Sequence, residues 1–294
     1  MLWAIFTLIA AAAQTARNAM QRELTTTLGT VGATHVRFLF GFPFALLFLA
    51  GVLMTTGAAP PHPPTVFWPW VFAGAFTQIA ATATMLSVMG QRSFVVAYAY
   101  IKTEPVHVAL LGLIFLGDKI TPLAAAAILI ATTGVIVISL KSGAGAQGSG
   151  RSTVVGLFSG ALFGLSAIGY RGAILSLGMP DFVVAATFTV TVGLVIQATV
   201  LSAYLMLRDR KVLHAIMRAW RPSLFAGFMG AFASEFWFLA FAITSAANVR
   251  TLALVEVLFA QGVTHFVFRQ PTTARESAGI VMVVIGVALL VWAH

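Results

Sequence analysis

The 294-residue chain contains no cysteine, which excludes a disulfide framework and any thiolate metal site. Charge is scarce as well. Asp, Glu, Lys and Arg make up 9% of the residues, where a soluble domain carries about a quarter. Acids are the rarest of these, eight against 17 Lys and Arg, for a net charge of +9. The cations stand in ones and twos between apolar runs, so no basic face for nucleic acid forms. What the chain has in abundance is apolar length: 60% of its residues are hydrophobic and the mean hydropathy is +0.97. That excludes hydrophilic disorder and makes a bilayer the natural solvent.

A run of about 20 apolar residues crosses roughly 30 Å of hydrocarbon. Ten such spans are expected, near 2–21, 30–55, 66–89, 93–116, 120–140, 153–177, 182–207, 222–245, 248–268 and 274–293. Barrel strands alternate in polarity and are about half as long, so the spans read as helices. The first lacks a basic leader and reads as a retained helix.

The most polar stretch, Lys141 to Ser152, is rich in Gly and Ser and reads as a linker (141–152) between five spans (1–140) and five more (153–294). A gapless shift of 152 positions aligns Phe76 with Phe228, Ala81 with Ala233, Ser93 with Ser245, Glu104 with Glu256, and Thr121 with Thr273. It also aligns Gly134-Val135 with Gly286-Val287. The shared glutamates weigh most, because acids inside spans are rare. Repeats with an odd number of spans lie in opposite orientations. The expected fold is therefore an all-α polytopic membrane protein, ten transmembrane helices as two inverted five-helix repeats, with a site near the midplane.

Orientation follows from basic residues in the loops. The loops after spans 1, 3, 5, 7 and 9 carry eleven: Arg22, Arg92, Lys141, Arg151, Arg208, Arg210, Lys211, Arg218, Arg221, Arg269 and Arg275. The opposite loops carry two, Lys119 and Arg250. The bias places both termini outside the cytoplasm, on the periplasmic side of a bacterial inner membrane. After span 7, Val212, Leu213, Ile216, Met217 and Trp220 recur at helical spacing, with Arg210, Lys211, His214, Arg218 and Arg221 opposite. That pattern describes an interfacial amphipathic helix, a surface connector or a gate.

With the five-plus-five pattern, Arg37 in His35-Val-Arg-Phe-Leu39, Pro105 in span 4, the Gly117-Asp118 ending of that span and the Gly134-Val135 pair, the chain resembles the drug/metabolite transporter superfamily. It is similar to the ten-span, EamA-like exporters over essentially its whole length, with the aromatic amino-acid exporters as a candidate subgroup. The Trp-Gly pattern often seen in span 1 of that family is replaced by Ala13-Gln-Thr-Ala-Arg-Asn18. Glu256-Val257 stands in span 9 where the family has proline. Its members usually have cytoplasmic termini, against the loop bias of this chain.

Ionisable residues at membrane depth are costly and mark functional sites by default. Those here are Lys102, Glu104 and His107 in span 4, Arg171 in span 6, Glu235 in span 8 and Glu256 in span 9. Tyr100, Glu104 and His107 share one face of their helix, and Tyr98 and Lys102 another. Lys102 and Glu104 are about 200° apart, so Lys102 needs a partner on another helix. Pro105 withholds its amide from the Ile101 carbonyl, and span 4 should bend there. Gln14, Gln78, Tyr170 and Trp237 complete the candidate substrate contacts. The competing account makes the charges structural ion pairs, for example Glu256 with Arg171 or Glu104 with Arg37.

No nucleophile elbow, zinc pair, Walker loop or dinucleotide fingerprint occurs, so neither an enzyme nor a cofactor is implied. The leading expectation is a secondary transporter exporting small metabolites, amino acids foremost, through a midplane cavity by alternating access. A zwitterion needs both an acid and a base, and Glu104 lies on its path in a protonation state that changes with loading. Efflux of hydrophobic cations by proton exchange, and an intramembrane enzyme, are the alternatives. The partners are a small-molecule substrate and membrane lipid; monomer and homodimer both remain open.

Overall fold

The computed structural model describes residues 1–91, 101–139, 150–259 and 273–293, and every regular element among them is a helix. The first, α1 (Leu2–Leu39), is two arms meeting at Gly29, whose φ of 67° and ψ of 176° suit only glycine. The first arm thus runs to Leu28, past the expected end near 21. Its polar end is satisfied locally. Gln21 Nε2 donates to Ala33 O across the turn at 2.9 Å, and the Thr25 and Thr26 hydroxyls donate to Arg22 O and Glu23 O at 2.6 and 2.7 Å.

The second arm continues, after a break at Phe40 and Gly41, as α2 (Phe42–Thr56). There follow α3 (Phe67–Gln91), α4 (Glu104–Phe115), α5 (Pro122–Ser139), α6 (Gly150–Ser176) and α7 (Phe182–Arg208). A short α8 (Arg210–Arg218) leads into α9 (Trp220–Ile243), and α10 (Ala246–Leu252) and α11 (Ala274–Trp292) complete the set. By length and apolar composition Leu2–Thr56, Val154–Ser176, Phe182–Arg208, Trp220–Ile243 and Ala274–Trp292 each suffice to cross a bilayer.

Packing is between halves. The closest helix pairs are α3 with α6, α1 with α9, and α5 with α11. Small residues make this proximity possible. A Cβ added at Gly134 would lie 2.8 Å from Gly279 O and from Val283 N, so α5 and α11 touch backbone to backbone. Large apolar side chains such as Leu47, Phe76, Ile114 and Val284 are exposed on the outside. In water such a surface would aggregate; against lipid it is ordinary. The amphipathic segment is a helix, α8, and one residue of it turns inward: Ile216 is fully buried, beside Gly32 of α1.

Candidate functional site

Two helices are interrupted near the centre of the bundle. In span 4, Ile101 is helical, Lys102 and Thr103 form a turn, and α4 begins anew at Glu104. Pro105 sits in the first turn of α4, where its missing N–H has no helical partner to lose. It therefore starts a helix at the break rather than bending a continuous one. In span 9, α10 ends at Leu252, Ala253 and Leu254 turn, and residues 255–259 are helical again. Tight three-residue bonds close this turn: Leu254 N donates to Thr251 O, Glu256 N to Ala253 O and Val257 N to Leu254 O, each at 3.1 Å. No proline is needed for it.

The two breaks face each other, and α4 packs on α10. Lys102 Nζ forms an ion pair with Glu256, and Arg250 Nε with Glu104 Oε1 at 2.9 Å. All four side chains are no more than 8% exposed. The Arg250 guanidinium carbon also lies 4.4 Å from the Trp237 ring centroid and 5.3 Å from that of Phe241, on α9. Trp237 Nε1 in turn donates to Gln14 Oε1 of α1 at 3.1 Å. Five of the expected residues thus fall into two adjoining groups, the Lys102–Glu256 pair and the chain of Glu104, Trp237 and Gln14 joined through Arg250.

The pairings differ from the examples the sequence suggested. Glu256 is held by Lys102, not by Arg171, and Glu104 by Arg250, not by Arg37. Arg250, counted among the loop cations, is a buried member of α10. Lys102 does find its partner on another helix, as the angle between it and Glu104 requires.

The remaining candidates lie apart. Arg171 ties helix ends together: NH1 pairs with Asp118 Oδ1 at 2.8 Å and Nε donates to Thr244 O at 2.9 Å. Gln78 and Tyr170 belong to a second polar cluster, where the Tyr170 hydroxyl donates to Gln78 Oε1 at 3.5 Å and Gln197 Nε2 to the same oxygen at 2.9 Å. His107 is half-buried, with Nδ1 3.1 Å from Thr103 O and its Cβ side against Gly164 of α6. Glu235, on α9, meets the Thr187 hydroxyl of α7. Tyr98 and Tyr100 lie outside the described residues.

Several buried polar groups lay outside the expected substrate contacts. Arg37 NH1 and NH2 donate to Thr82 Oγ1 and Ser234 Oγ, both at 3.4 Å, and Arg17 NH2 to Asn18 Oδ1 at 2.7 Å. Both arginines are essentially inaccessible, and their signal was available: each is a cation well inside an apolar run. Gln197 and Thr187 carry no such signal, since uncharged polar residues are common in membrane helices. Among the described residues no group of three or more His, Asp or Glu is placed to hold a metal ion.

Comparison with known proteins agrees with this architecture. A search of curated proteins finds no significant match. A solved structure, described only as a crystal structure of a protein, superposes with a TM-score of 0.70 over 98% of this chain and 96% of its own, at 13% identity. That likeness concerns the fold alone. Residues 1–140 match the EamA-like transporter family, whose members are multi-span membrane proteins that move small molecules. Over those residues the chain is similar to the EamA-like transporter family, and this supports a place in the drug/metabolite transporter superfamily.

Proposed function

We propose that the chain exports small metabolites, amino acids foremost, by alternating access about the crossing of α4 and α10. The observation that carries this reading is the reciprocal pairing there. Glu104 and Glu256 are both neutralised by bases of the opposite helix, Arg250 and Lys102. A zwitterion can exchange partners with such a pair, its ammonium taking the glutamate and its carboxylate taking the base, without leaving a buried charge alone. A hydrophobic cation brings no anion for the released base, so it would strand Arg250 or Lys102 in a dry site. Trp237 and Phe241, already beside Arg250, supply an apolar face for a side chain.

The two halves act in this reading as inverted repeats, 1–140 and 153–294, rocking about the midplane in a bacterial inner membrane. The packing of α3 on α6 and of α1 on α9 supports that exchange of halves, and so do the paired helix breaks. The test is counterflow of labelled substrate in proteoliposomes, run in parallel with the twenty amino acids and with lipophilic cations. Exchange of one or more amino acids, competed by others and not by the cations, is expected. Exchange of the cations alone would overturn the reading.

A further inference from the structure

We propose that Glu235 is a proton carrier. It holds a proton on its carboxyl in the conformation described here and releases it when the contact between α7 and α9 opens to water. The inference rests on the transport reading above and adds proton coupling to it.

Three observations set Glu235 apart from the other acids of the bundle. Glu104, Glu256 and Asp118 each have a basic partner, whereas Glu235 forms no ion pair among the described residues. It is nonetheless 8% exposed, and its Oε2 has no hydrogen-bond partner. Its one polar contact, from Oε1, is to the hydroxyl of Thr187. How much that one bond can give a charged carboxyl is what matters.

A threonine hydroxyl has a single proton to give. Thr187 Oγ1 lies 2.8 Å from Val183 O, the back-bond typical of a threonine inside a helix. Its neighbours on α7 do the same, Thr189 to Ala185 O at 2.7 Å and Thr191 to Thr187 O at 2.8 Å. Thr187 Oγ1 is placed to donate both to Val183 O and to Glu235 Oε1, so its single proton gives the carboxyl at most one shared hydrogen bond. A carboxylate there would have that one shared donor on Oε1, none on Oε2 and no cation, in a dry interface. The neutral acid fits the site and the charged one does not.

The surroundings supply no charge to change this. The titratable groups facing inward from the elements packed on α9 are Arg17, His35 and Arg37 of α1, Tyr170 and Arg171 of α6, and Arg250 of α10. Arg37 bonds Ser234, the residue before Glu235, through NH2 and Thr82 through NH1, and forms no ion pair with Glu235. Arg250 is on Glu104, Arg171 on Asp118, Tyr170 on Gln78, Arg17 on Asn18, and His35 Nε2 is 3.0 Å from Ser202 Oγ. On α7 the titratable groups, Tyr204 and Arg208, are in its exposed last turns, and α2 has none. The cations of α8 sit at the opposite end of α9 from Glu235. Losing the proton therefore requires water, and water requires α7 and α9 to part. Proton release and conformational change are then one event.

The test is infrared spectroscopy of the purified chain in lipid vesicles at neutral pH, which needs no substrate. The protonated-carboxyl stretch is expected in the parent, absent from Glu235→Gln, and shifted in Thr187→Val, which keeps the volume but removes the hydroxyl. The same stretch in Glu235→Gln, or no shift in Thr187→Val, overturns the assignment whatever the chain transports. A pH dye inside proteoliposomes reads the coupling. Protons should move against a gradient of an amino acid active in counterflow, and Glu235→Gln should keep the exchange but lose the proton flux. An active parent that moves no protons overturns the coupling and leaves the transport reading standing. Failure of every candidate in counterflow overturns the transport reading, and with it coupling, while the infrared result still decides the proton site.

Discussion

Glu104 and Glu256, brought into register by a shift of 152 positions, are each held by a base carried on the other's broken helix. The bases are not themselves in register. Lys102 lies two residues before Glu104, whereas Arg250 lies six before Glu256. The crossing is thus symmetric in its acids and asymmetric in its bases, which gives a substrate two unlike ends to recognise.

The first prediction follows from that arrangement. Glu104→Gln leaves Arg250 buried without its counter-charge, and breaking a buried pair costs about 3–5 kcal/mol. The single variant should melt well below the parent in detergent. Glu104→Gln with Arg250→Gln removes both charges and should recover most of the melting temperature, yet not amino-acid counterflow. Recovery of counterflow as well would reduce the pair to a structural strut.

How much of this was legible in the sequence depends on the range of the interaction. Apolar length marked the spans, because a bilayer imposes it locally. The isolation of Lys102 from Glu104 was legible too, since helix rotation fixes it. Which base meets which acid was not, because Arg250 and Glu104 are joined only by tertiary packing. Arg250 was also missed: standing at the edge of span 9, it was counted with the loop cations and so was not weighed as a buried charge. The interruption of span 9 lacks even a proline to announce it, whereas Pro105 at least pointed to the break in span 4.

The contact of α5 with α11 supports a second prediction. A side chain at Gly134 would have to displace the backbone of α11 at Gly279 and Val283. Overpacking of this kind typically costs about 1–3 kcal/mol. Gly134→Leu should therefore lower the melting temperature by several degrees, and Val135→Leu, beside it on α5, should cost less because side chains rather than backbone must adjust. Equal melting of Gly134→Leu and the parent would show that α11 is free to move away.

A third concerns orientation. The bias of loop cations, only strengthened now that Arg250 lies in α10, predicts that a cysteine at Gly145, introduced into this cysteine-free chain, labels only from the cytoplasmic side. A reporter joined after His294 should be active in the periplasm. Both measurements reversed together would mean the bias had been overridden, with the helical architecture unaffected.

The last prediction concerns the end of the bundle where Arg171 joins Asp118 and the Thr244 carbonyl. Thr244 caps the C-terminus of α9, so the guanidinium meets both a carboxylate and the negative end of a helix. Asp118 is itself shaped for the role, its amide bonded to Gly112 O at 3.1 Å where α4 ends. One side chain thus draws together the ends of α4 and α9 from α6. In an alternating-access cycle, such a tie must break whenever this end opens. A charge-assisted bond of this kind is worth about 1.5 kcal/mol or more, and 1.4 kcal/mol is about tenfold in an equilibrium. Asp118→Asn should therefore raise the open population about tenfold. The reporter is a cysteine at Ala247, at the start of α10 beside this end and 5% exposed. Its labelling by a membrane-impermeant maleimide should accelerate by about that tenfold factor in Asp118→Asn, and fall back when a saturating amino acid holds the other conformation. Unchanged labelling, with Asp118→Asn melting like the parent, would show that the pair holds nothing shut.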